Sequence, residues 1–111
     1  MAVYSVQGRV FFRNSTRRNA VQANVTTRIH AVATQAEVDA TPITSDTGDP
    51  GIHIGVRFQA RAEADSFWSD VQAAFGTGIN GPVTGSYIWR YYRDTQMGTP
   101  DPNVITERVA F

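Results

Sequence analysis

Cysteine is missing from all 111 residues. Its absence removes disulfides, thiolate nucleophiles and cysteine-ligated zinc together. Lysine is missing as well: the ten basic residues are all arginine, balanced by ten acidic ones for a formal net charge of zero. A dedicated nucleic-acid binder draws much of its affinity from phosphate neutralisation and normally shows a basic excess, so that class is disfavoured. Arginine pairs with carboxylates through two parallel hydrogen bonds and stacks on aromatic rings, which suits interfaces. No apolar run reaches the ~18 residues of a membrane span. The opening Met1-Ala-Val-Tyr-Ser-Val lacks a basic start followed by an apolar stretch, so no signal peptide is expected and the default location is cytoplasmic.

What is present suffices for one folded unit. Hydrophobic residues make up 41% of the chain, including six Phe, four Tyr and two Trp, and charged residues only 18%. That apolar content supports a core, and the length fits a single domain over 1–111.

The periodicity is informative. Over 3–12, Tyr4, Val6, Gly8, Val10 and Phe12 fall on one face while Ser5, Gln7 and Arg9 fall on the other, the alternation of a strand with one buried side. Asn14-Ser15-Thr16 offers oxygens for a helix cap. Behind it Val21, Val25, Ile29 and Val32 form one helical stripe, predicting a helix over 15–32 with Arg17, Arg18, Gln22 and Arg28 on its wet side. Residues 35–45 read as a strand or an extended loop, because Pro42 belongs on a sheet edge or at a bulge. After a turn over 45–51, Ile52, Ile54, Val56, Phe58 and Ala60 alternate with His53, Gly55, Arg57, Gln59 and Arg61, a second clear strand. A helix over 62–75 follows, with Ala64, Phe67, Trp68, Val71 and Phe75 in one stripe and Gly76 or Gly78 closing it. Residues 86–93 form an aromatic strand. A polar loop over 94–103 then leads to alternating residues 104–111, which suit a terminal strand.

Strand, helix, strand, strand, helix, strand is the split pattern of ferredoxin-like α+β domains. Such a fold places the first and third strands centrally, where the cleanest alternations lie, and the proline-bearing second strand at an edge. Two helices cover one sheet face only. The other carries Ser5, Gln7, Arg9, His53, Gly55, Arg57 and Gln59, joined by either Trp89 and Tyr91 or Arg90 and Tyr92.

The strands at 3–12 and 52–60, the Phe67-Trp68 helix and the tail Val104 to Phe111 give the chain a pattern that resembles dimeric α+β barrel proteins. In that group two sheets pack face to face, often with a C-terminal strand reaching across. The resemblance is one of topology and rests on no motif. It implies a homodimer or larger homo-oligomer, with Gln7, Arg9, Arg57, Val109 and Phe111 as interface candidates. The opening Met-Ala-Val-Tyr-Ser-Val-Gln-Gly-Arg-Val and the ending Ile-Thr-Glu-Arg-Val are similar to small uncharacterised proteins of viruses infecting marine cyanobacteria. That similarity implies a viral accessory or structural component, in the host cytoplasm or the virion.

Chemistry is sparse. Barrel-group monooxygenases use an asparagine on the first strand with an aromatic in the second helix; Trp68 fits the second position, but residues 3–12 contain no asparagine. With no histidine in the second helix, a haem ligand there has no candidate, and Trp68 reads best as core. His53 is placed to act as a general base near neutral pH, though an ordinary strand histidine explains it as well. His30 lies far from it in the predicted fold, so the pair has no metal-ligand spacing. Gly76 to Gly81 spells a dinucleotide fingerprint but follows a helix and precedes a strand, the reverse of what that mechanism needs. Asn14-Ser-Thr and Asn24-Val-Thr are glycosylation sequons in spelling only, and Asp46 to Asp49 lacks calcium-loop spacing.

The leading expectation is therefore a homo-oligomerising, non-enzymatic protein needing no cofactor or metal. A cofactor-independent monooxygenase or isomerase using His53, Trp68 and Tyr91 is the rival. Base stacking of RNA on an aromatic sheet is the third.

Overall fold

The computed structural model describes residues 2–32, 37–94, 100 and 104–111. The elements follow the order β1 (Val3–Phe11), α1 (Ser15–Val32), β2 (Glu37–Thr44), β3 (Pro50–Phe58), α2 (Arg61–Phe75), a short 3-10 turn at Gly78–Asn80, β4 (Tyr87–Arg93) and β5 (Ile105–Ala110). The strands form one antiparallel sheet in the order β2-β3-β1-β4-β5. The chain is thus α+β, with β1 central and an order compatible with the expected ferredoxin-like arrangement. Residues 35–36 of the uncertain second strand and most of the loop over 94–103 lie outside the described residues.

Alternation decides which strand residues go inward. Val6 and Val10 of β1, Ile52, Ile54, Val56 and Phe58 of β3, and Ile88 and Tyr92 of β4 are buried together with Val21, Val25 and Ile29 of α1 and Phe67, Trp68, Val71 and Phe75 of α2. Both helices therefore lie on one sheet face. The buried stripe of α1 is entirely β-branched, which is poor for intrinsic helicity. Packing against the sheet, more than propensity, holds this helix. Asn14 caps it, its Oδ1 accepting the Arg17 N–H at 2.8 Å.

Several side chains expected on the wet side of α1 instead tie it to its neighbours. Arg17 donates to the carbonyls of Phe75 at 3.0 Å and Asn80 at 2.7 Å, satisfying orphan acceptors where α2 ends. Gly76, at φ 77°, turns the chain there. Gln22 donates to the Ala40 carbonyl at 2.9 Å, fastening β2. Arg28 forms an ion pair with Asp70 of α2. Pro42 sits opposite Ile52 in β2, the edge strand, where it is tolerated.

Three strand ends meet at the buried Ser86. Its Oγ accepts the Phe11 N–H at 2.9 Å, its carbonyl accepts the Phe111 N–H at 2.9 Å, and the Val83 N–H reaches the Phe11 carbonyl at 2.9 Å. The ends of β1 and β5 are thereby fixed to the start of β4.

Candidate interaction face

The register of β4 settles a question its sequence leaves open. Gly8 pairs with Ile88, Val6 with Arg90 and Tyr4 with Tyr92, so Ile88, Arg90 and Tyr92 share the helix-covered face. Tyr87, Trp89, Tyr91 and Arg93 take the open face, paired with Arg9, Gln7, Ser5 and Val3 respectively. On the other side of β1, Arg9 pairs with His53 and Ser5 with Arg57. In β5, Arg108 lies opposite Trp89 and Thr106 opposite Tyr91.

The open face is thus aromatic on β4 and arginine-bearing on both sides of it. Tyr87, Trp89 and Tyr91 are half-buried, while Gln7, Arg9, Arg57, Thr106 and Arg108 are exposed. Alternate strand residues stand about 6.8 Å apart, so the three rings form a row. The Arg108 guanidinium lies over the Tyr87 ring, 4.5 Å from its centroid. Between β4 and β5 the surface dips into a depression of about 390 Å³ lined by Tyr87, Trp89, Thr106 and Arg108.

Of the interface candidates, Gln7, Arg9 and Arg57 stand on this face. Val109 and Phe111 turn the other way: both pack against the protein's own core, and Phe111 meets Phe75 edge-on at 5.6 Å. β5 is thus welded to its own sheet by these residues. The three catalytic candidates are not brought together. Trp68 is 6% exposed in the core beneath Arg90, on the helix side, whereas His53 and Tyr91 belong to the open face. His53 shares a row with Tyr87, which leaves it roughly 16 Å from Tyr91 along and across the strands.

A second cluster, on the helix side, holds the β4–β5 edge. Arg90 is paired with Glu107 of β5 at 2.6 Å and Asp65 of α2 at 3.3 Å, and lies over the Trp68 and Tyr92 rings at 5.1 and 5.2 Å. Arg61 approaches the Tyr92 ring at 5.3 Å and forks onto Asp94 at 2.8 and 3.3 Å. Tyr4 donates to the same carboxylate at 2.6 Å. Sequence alternation missed this cluster because an arginine on a core-facing position reads as an error until Asp65 and Glu107 are brought beside it.

Two outcomes are expected here. Among the described residues the buried Tyr92 hydroxyl has no partner at good hydrogen-bond geometry, and burial pushes its phenol above the ordinary tyrosine range, with the neighbouring Arg90 opposing. Tyr92→Phe should therefore leave thermal stability unchanged or raise it by up to about 1 kcal/mol. A fall in melting temperature beyond a few degrees would show that the hydroxyl is bonded after all. Asp94, held below the usual carboxylate range first by the Tyr4 hydroxyl and then by Arg61, favours folding in its charged form. Its contribution is fully present above the unfolded-state value of about 3.9 and is lost as pH falls through the lower folded value. Urea unfolding should find Asp94→Asn weaker than the parent at neutral pH, with the difference closing as pH falls below the unfolded-state value. A deficit that is constant with pH would refute the linkage.

No protein-family profile matches this chain, and neither a curated protein nor a solved structure does. Among the described residues, no helix is long and apolar enough to cross a membrane.

Proposed function

We propose that this protein is a non-enzymatic module that pairs with a second copy through its open sheet face, as a dimeric α+β barrel on a ferredoxin-like frame. The observation carrying this reading is the row Tyr87, Trp89 and Tyr91 on a sheet face that neither helix covers. Large half-exposed aromatics flanked by arginine have the composition of an interface centre. Sheet geometry supports a second copy as the occupant. β4 and β5 carry Arg93 and Arg108 at one side of the sheet, and β2 forms the opposite edge. A twofold axis along the strands lays β2 of each copy over the β4–β5 side of the other, an isologous and closed arrangement. The chain's zero net charge is consistent with such self-pairing. A virus-encoded accessory or structural role is compatible with a protein of this kind.

Size-exclusion chromatography with light scattering tests the proposal. A mass of twice 12.2 kDa is expected, and Trp89→Glu should halve it while leaving the circular dichroism spectrum intact. A parent protein that is monomeric at micromolar concentration overturns it.

A further inference from the structure

We infer that the depression between β4 and β5 is a binding site for a free nucleotide, the ring stacked on Trp89 and the phosphate held by Arg108, whose guanidinium is backed by the Tyr87 ring. The inference rests on the open-face reading, because a second copy would roof the site.

Among the described residues, the depression is lined by Tyr87, Trp89, Thr106 and Arg108. Two are aromatic, one is a cation and one offers a hydroxyl donor. Aromatic faces stack on any planar ring, and a guanidinium fits phosphate oxygens through two parallel hydrogen bonds. A purely apolar ligand would make no use of the Arg108 hydrogen-bond donors, and inorganic phosphate would make none of the Trp89 ring. A nucleotide answers both. The volume of about 390 Å³ falls in the range of small-ligand sites, about 300–1,000 Å³. A depression of about 230 Å³ has Asp46 and Asp49 in its lining and disfavours an anion, and one of about 270 Å³ sets Asp46 against Arg9. Among the described residues, the lining of the β4–β5 depression holds no acidic side chain.

Titration with uridine 5′-monophosphate, read by tryptophan fluorescence, tests the site. Saturable quenching is expected for the parent protein and should vanish in Trp89→Phe, since Trp68 is buried on the other side of the sheet. Arg108→Ala, with its fold checked by circular dichroism, should weaken binding by about tenfold or more, and Arg108→Lys by less. Uridine and inorganic phosphate should each bind at least about tenfold more weakly than the nucleotide. Absence of saturable quenching into the millimolar range overturns the site and leaves the dimer reading standing. Equal binding by a monomeric parent overturns the dimer reading and leaves the site standing. A short oligouridylate binding tenfold tighter than the mononucleotide overturns the free nucleotide as occupant.

Discussion

Replacing Trp68 with alanine is expected to destabilise the protein by about 3–5 kcal/mol, a large share of the ~5–15 kcal/mol that holds a domain of this kind folded. The indole is 6% exposed, packs among Phe67, Val71 and the sheet, and supports the Arg90 guanidinium at 5.1 Å. Alanine leaves a cavity and removes the surface against which Arg90 lies between Asp65 and Glu107. At about 4 °C per kcal/mol the melting temperature should fall by roughly 12–20 °C. Trp68→Phe keeps part of the volume and should cost much less. Trp89→Ala supplies the contrast: its indole stands on the open face, and in the monomer its loss should cost under about 1 kcal/mol. Comparable losses at the two positions would mean that the assignment of the sheet's faces is wrong.

Gly8→Val carries the second large effect, and it acts through backbone crowding. Gly8 faces the helices between Ile54 and Ile88, and β4 passes so close that a Cβ built on it would stand 2.5 Å from the Tyr87 carbonyl oxygen and 2.9 Å from the Ile88 Cα. Neither is the tip of a flexible side chain. The strands must separate, stretching the β1–β4 ladder at the point where Trp89 and Tyr87 are presented. A cost of about 3 kcal/mol is expected from overpacking of this severity. Chemical denaturation should show the loss, and the solution mass should fall toward the monomer as the aromatic row is displaced. A Gly8→Val protein as stable as its parent would remove the close approach from the account of the fold.

The elements that sequence reveals most readily are those whose neighbours are similar on every side. In β1 and β3 each residue either faces the helices or does not, so alternation alone assigns their faces. The two helical stripes follow for the same reason, and both helices occupy the expected ranges within one residue. In β4, aromatic residues occur at both parities, and what turns Arg90 inward is a pair of carboxylates 17 and 25 residues away. β2 was ambiguous because proline is read as a breaker, whereas an edge strand satisfies its ladder on one side only. Arg17 looked solvated because no local pattern announces that a side chain will cap a helix ending 58 residues further on. For the candidate face, β1 and β3 supplied Gln7, Arg9, His53 and Arg57 by alternation. The aromatic row and the Arg108 depression depended on register, which single-strand periodicity does not carry.

The junction at Ser86 bears on how the sheet opens. Strand ends normally fray, and their amide protons exchange with solvent in brief local excursions. Here the amides of Phe11 and Phe111 are both held by one buried serine, and releasing either one breaches the same cluster. The ends of β1 and β5 should therefore exchange together and slowly, as part of one cooperative unit with the middle of the sheet.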